Sequence, residues 1–108
     1  MIPLPSQIAT YVEASNNQDP AGVARCFVAD AIVDDDGTVK RGNAEIAAWA
    51  QHSAERYRAT IDPQTLVDSD GLRVLRASVS GNFPGSPTML EFRFALQPDG
   101  IGSLEVRA

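Results

Sequence analysis

Ala29-Asp-Ala-Ile-Val-Asp-Asp-Asp-Gly-Thr-Val-Lys-Arg-Gly42 is the stretch on which the reading of the fold turns. The apolar residues Ala31, Ile32 and Val33 run into three aspartates, and Asp36-Gly37 is a turn signal, so Ala31 to Asp35 is a brief strand that stops there. Side chains alternate across a strand, so if Val33 faces the interior then Asp35 does too, while Ile32 and Asp34 face the other way. The three carboxylates therefore cannot act as one group. Adjacent aspartates on opposite sides, with no histidine nearby, make a poor metal site, and none is expected. Asp34 and Asp36 read as turn chemistry; Asp35 stays open between a solvated strand end and a general base.

Upstream of this strand the period is helical. Ile8, Tyr11, Val12 and Ser15 fall at i, i+3, i+4 and i+7, which predicts a helix from Ser6, as cap, to Asn16. Asp19-Pro20 starts a second helix, with Asp at the N-cap and Pro at the first helical position. Downstream, Gly42-Asn43 opens the strongest helix, where Ile46, Trp49, Ala50, Ser53 and Tyr57 share one face. From Thr60 the pattern is that of strands. Pro63 predicts an edge or irregular strand, and Asp68-Ser-Asp-Gly71 is a turn. Leu72 to Gly81 changes its apolar face, which predicts a bulge near Val74 or Leu75. In Thr88 to Gln97, Leu90, Phe92, Phe94 and Leu96 alternate with polar residues, and Pro98-Asp-Gly100 leads to a last strand, Ile101 to Arg107. Hairpin-length connections imply an antiparallel sheet, and helices ahead of a meander imply an α+β protein.

Composition bounds the function. The 108 residues suit one domain, 1–108, with 44% hydrophobic and 21% charged residues. A net charge of −5 with no basic cluster disfavours a nucleic-acid partner. No apolar run reaches the roughly 20 residues of a membrane span, and the first residues lack a signal-peptide pattern, so a cytoplasmic protein is expected. A single cysteine, Cys26, allows no intrachain disulfide and reads as a small buried hydrophobe. His52, the only histidine, falls off the apolar face of its helix and reads as a surface or rim residue.

The order of these elements resembles the nuclear transport factor 2-like superfamily, in its SnoaL-like and ketosteroid-isomerase-like branch. The resemblance is carried by Tyr11-Val-Glu-Ala-Ser-Asn-Asn-Gln-Asp19, Phe27-Val-Ala-Asp-Ala-Ile-Val-Asp-Asp35, Arg41-Gly-Asn-Ala-Glu-Ile46 and Glu91-Phe-Arg-Phe94. It implies a cystatin-like α+β barrel: three N-terminal helices on a strongly curved antiparallel sheet, enclosing a cone-shaped cavity. It also implies two catalytic candidates, Asp35 as the base beside a carbonyl and Tyr11 as the donor to the developing oxyanion. Phe27, Val33, Trp49, Tyr57, Leu90 and Phe92 are the candidate cavity wall for a small apolar ligand. No cofactor is implied, and a homodimer through the outer sheet face, with Met89, Ala95, Glu91 and Arg93, is expected. The pattern's second oxyanion donor is a protonated acid two residues before Phe92-Arg-Phe94, and Leu90 stands there instead. Losing one such donor costs about 10²–10³ in rate, so steroid isomerisation is disfavoured. An isomerase, cyclase or dehydratase remains open beside a ligand-binding or assembly domain without turnover.

Overall fold

A computed structural model describes residues 2–108. The chain runs α1 (Ser6–Asn16), α2 (Pro20–Arg25), β1 (Phe27–Asp35), β2 (Thr38–Arg41), α3 (Gly42–Tyr57), β3 (Thr60–Ser69), β4 (Leu72–Ser80), β5 (Thr88–Gln97) and β6 (Gly100–Arg107). The strands form one six-stranded sheet in the order β2-β1-β6-β5-β4-β3. Helices lie over one face, and the α+β architecture is the expected one.

Two refinements concern the sheet. It is mixed, because β1 pairs with β6 in parallel while every other pair is antiparallel. It is also open, with β2 and β3 as its edges, and so does not close into a barrel. Local turns follow the sequence closely. Asp36 and Gly37 have φ of 50° and 96°, and Asp70 and Gly71 have 52° and 80°. Positive φ at both central residues is what a two-residue type I′ hairpin requires, and Asp-Gly supplies it at low cost. These turns join Asp35 to Thr38 and Ser69 to Leu72 in register.

Three local expectations need correction. Pro5, not Ser6, occupies the N-cap of α1, and no side chain caps that end. Strand β1 begins at Phe27 rather than Ala31, because α2 stops at Arg25 and Phe27 already pairs with Ile101. The bulge expected in β4 falls instead in its partner β3, where Gln64 is the extra residue between Pro63 and Thr65, opposite Ala77 and Arg76. Proline cannot donate to the ladder, so the irregularity settles beside it on the edge strand. Val74 and Leu75 are both buried without a bulge. Leu75 faces the helices, and Val74 is covered on the outer face by its cross-strand neighbours Val67 and Arg93.

Helix placement depends on a few polar contacts. The Asp19 carboxylate accepts from the Gly22 backbone N–H at 3.0 Å and starts α2. Asn16 clamps the end of α1 to the edge strand: it accepts from Ile61 N–H at 2.6 Å and donates to Ile61 C=O at 2.9 Å. At the start of α3, Glu45 reaches back to accept from Arg41 N–H at 2.8 Å. Ile46 and Ala50 then bury one stripe of α3 against β1.

Between helices and sheet the core is full. Ile8, Val33, Ile46, Leu75, Phe94, Ile101 and Leu104 are completely buried there. None of the described helices is long and apolar enough to cross a membrane.

Candidate functional site

The three aspartates have separate tasks. Asp34 accepts from Gly37 N–H at 2.8 Å and closes the hairpin turn, and Asp36 supplies the first left-handed residue of that turn. Asp35, the last residue of β1, points to the helix side as alternation predicts, and its Oδ2 accepts from the Trp49 indole N–H at 3.0 Å. Both residues are partly buried.

Tyr11 rises from the buried stripe of α1 into the core, 4% exposed. Its ring is held edge-on by Phe27 and Phe94, with centroids 6.1 and 5.5 Å away. Burial first, then the negative charge of Asp35, then Cys26, push its phenol well above the ordinary range, so it remains protonated. Among the described residues its hydroxyl has no hydrogen-bond partner, and its oxygen is not sealed off from solvent. It lies against a crevice of about 90 Å³ between the helices, which Trp49, Tyr57, Ser15, Gln18 and Ser53 also line.

The sequence-predicted residues thus divide into two groups. Tyr11, Trp49 and Tyr57 border the crevice, with Asp35 joined to it through the Trp49 indole. Phe27, Val33 and Phe92 are buried in the packed core, and Leu90 is half-buried against it. The broad cone expected from the sequence is largely filled by these side chains. Ser15, Gln18 and Ser53 were not among the candidates, yet a signal existed for two of them. Ser15 and Ser53 each interrupt an otherwise apolar helical stripe, and a polar residue on such a stripe marks where packing opens.

A larger groove, about 410 Å³, lies elsewhere, bordered by α1, α2 and the turn from Pro98 to Gly100. It opens to solvent, and none of the catalytic or cavity-wall candidates lines it; Cys26 does, together with Asp19, which caps α2. The Cys26 thiol donates to Gly22 C=O at 3.3 Å, and burial pushes its proton affinity up, which leaves it a poor nucleophile. His52 is exposed, as its place off the apolar face implies. Arg93 pairs with Glu91 at 2.7 Å and, across strands, with Glu105 at 3.9 Å. Among the described residues no three His, Cys, Asp or Glu side chains gather as metal ligands would.

A sequence profile of the SnoaL-like domain matches residues 8–107, nearly the whole chain. The chain belongs to the SnoaL-like family. No curated protein matches this SnoaL-like domain in sequence. Among solved structures it is similar to a proposed polyketide cyclase of Sinorhizobium meliloti, at 29% identity and a TM-score of 0.89, covering 96% of this chain and 95% of that one. A protein of Catenulispora acidiphila with a ketosteroid isomerase-like fold, solved with trimethylamine, gives 16% identity and a TM-score of 0.85, over 98% and 87% of the two chains. The epoxide hydrolase/cyclase-like enzyme SalBIII, of pyran ring formation in salinomycin, gives 18% and 0.76, over 94% and 87%. At those two identities the likeness concerns the fold alone. The SnoaL-like domain therefore has the nuclear transport factor 2-like fold, with polyketide cyclase-like neighbours.

Proposed function

We propose that this SnoaL-like domain binds a small, mostly apolar carbonyl compound between its helices and moves a proton on it without a cofactor, as an isomerase, cyclase or dehydratase does. The observation that carries the reading is Tyr11, a side chain almost wholly buried that lines the crevice, with its protonated hydroxyl unpaired among the described residues and within electrostatic reach of Asp35. That hydroxyl opens to the crevice, so a ligand oxygen can replace water as its acceptor. In the reaction Asp35 takes a proton from the carbon beside the carbonyl. The electron pair moves onto the carbonyl oxygen, and the Tyr11 O–H stabilises that oxyanion. An enolate formed in this way can be reprotonated, can expel a leaving group or can close a ring. The likeness to a proposed polyketide cyclase supports this class of chemistry.

Exchange of α-hydrogens for deuterium in D2O, followed by NMR over a series of ketones from cyclohexanone to 2-tetralone, tests the proposal. Wild type should accelerate exchange, and Asp35→Asn should lose about 10²–10⁴ of that acceleration. Equal rates for the two proteins would remove Asp35 from the mechanism. A second reading, ligand binding without turnover, is favoured by Leu90, which cannot donate a hydrogen bond where the related pattern has an acid. Under that reading ketones quench the fluorescence of the only tryptophan, Trp49, but their α-hydrogens do not exchange.

We propose in addition that two copies pair through the outer sheet face. Glu91, Arg93, Glu105 and Arg107 form a ladder of alternating charge there, with Arg107 to Glu105 at 2.8 Å, and Met89 is exposed beside it. A two-fold axis through that face would lay arginines on glutamates, the self-complementarity that a symmetric dimer needs. Size-exclusion chromatography with light scattering should give twice the 11.5 kDa chain mass; a single species at 11.5 kDa would contradict pairing.

A further inference from the structure

We propose that Trp49 is a positioning residue for Asp35: its indole N–H holds Oδ2 and leaves Oδ1 as the oxygen that receives the substrate proton. This inference rests on the reading of Asp35 as the base and goes beyond it by assigning a residue to which no role in the proton transfer has been given.

The geometry carries it in three steps. Asp35 is the final residue of β1, directly before a two-residue turn, where a short side chain has little to hold it. Its hydrogen-bond partner among the described residues is Trp49 Nε1, 3.0 Å from Oδ2. The donor itself is rigidly placed. It sits two turns into α3, between Ile46 and Ala50, which are 0% and 5% exposed and anchor that helix to the sheet. The helix start is fixed in turn by the bond from Arg41 N–H to Glu45. A donor carried on an anchored helix, with its ring partly buried against the core, restrains the rotation of the carboxylate without competing for its second oxygen. The same indole forms part of the crevice wall beside Tyr11 and Tyr57, so the base and the ligand surface are registered by one side chain.

The proton balance is simple. A C–H bond beside the ketone breaks, the proton goes to Oδ1 of Asp35, and the electron pair goes to the carbonyl oxygen under the Tyr11 hydroxyl. In D2O the carboxyl proton exchanges with solvent, and a deuteron returns to carbon. Catalysis is sensitive to small misplacements of the accepting atom, so loss of the indole bond should act on turnover more than on binding.

Two measurements test the assignment. The chain has one tryptophan, so its ¹⁵N-labelled form has one indole N–H resonance. That resonance should lie downfield and exchange slowly in wild type, and should move upfield and exchange faster in Asp35→Ala; an unchanged resonance would overturn the contact. With 2-tetralone as the probe, Trp49→Phe keeps an aromatic wall but removes the donor. Its kcat for α-hydrogen exchange should fall about tenfold with KM within twofold of wild type. If Trp49→Phe matches wild type while Asp35→Asn is inactive, the positioning role is wrong and the base survives. If Asp35→Asn also matches wild type, or wild type gives no exchange, the base is wrong and the positioning role goes with it. A rise in KM at unchanged kcat would make Trp49 a wall residue only and would likewise overturn the proposal.

Discussion

Replacing Phe94 with alanine should destabilise the domain by about 3–5 kcal/mol, the range for deleting a fully buried phenylalanine ring. Phe94 is completely buried, packs edge-on against Tyr11 and lies parallel to Phe92 with ring centroids 6.4 Å apart. Its strand neighbours, Arg73 in β4 and Leu104 in β6, sit in regular ladder pairs, so the backbone has little freedom to collapse into the vacated space. Domains of this size are stable by about 5–15 kcal/mol, and the loss should lower the melting temperature by about 10 °C or more. Thermal and urea denaturation followed by circular dichroism measure it. A loss below about 1 kcal/mol would mean that the site collapses freely and that the core is not packed as described. The same variant removes one of two rings that hold Tyr11, so any ligand response should weaken even at temperatures where the protein stays folded.

Tyr11→Phe should behave in the opposite way, with a large effect on exchange and little on stability at neutral pH. Among the described residues the hydroxyl has no hydrogen-bond partner to lose, and the phenylalanine ring keeps the contacts to Phe27 and Phe94. The α-hydrogen exchange rate should fall about 10²–10³-fold, as for removal of an oxyanion donor. A fall below threefold would exclude Tyr11 from the site. Stability above neutral pH gives a second readout with a definite sign. Burial raises the folded-state proton affinity of Tyr11 above that of a free phenol, about 10. Below that value both folded and unfolded chains hold the proton, and the contribution is fully present. Above it the unfolded chain ionises first, so wild type should lose stability as alkali rises. Tyr11→Phe should lack that component of the loss.

Much of this architecture is legible from local chemistry. Asp36-Gly37 and Asp70-Gly71 announce their hairpins because so few residue pairs accept two positive φ angles. Asp19-Pro20 marks a helix start through a carboxylate that accepts and a ring that donates nothing. Strand β2 is missed because its four residues are mostly exposed, so no burial pattern distinguishes them from a loop. The parallel partnership of β1 with β6 is likewise hidden, since register between distant segments is a tertiary choice that periodicity cannot encode.

The candidate site shows the same division. Alternation along Val33, Asp34 and Asp35 correctly sends Asp35 toward the helices. Its partner Trp49 is visible only as one apolar residue on a stripe, because the stripe says where a ring is buried and nothing about where its N–H points. The overestimated cone has a related cause. Phe27, Phe92 and Phe94 all face inward as the pattern requires, but whether inward rings enclose space or fill it depends on a volume balance over many residues.

Strand β6 lies in the middle of the sheet, hydrogen-bonded to β1 on one side and β5 on the other, although it is the last strand in the sequence. A nascent chain emerging from the ribosome therefore has its helices and first hairpin in hand long before the strand that unites them arrives. Until Gly100 to Arg107 has been made, β1 and β5 each keep one edge unpaired, and an unpaired strand edge is a template for joining another chain.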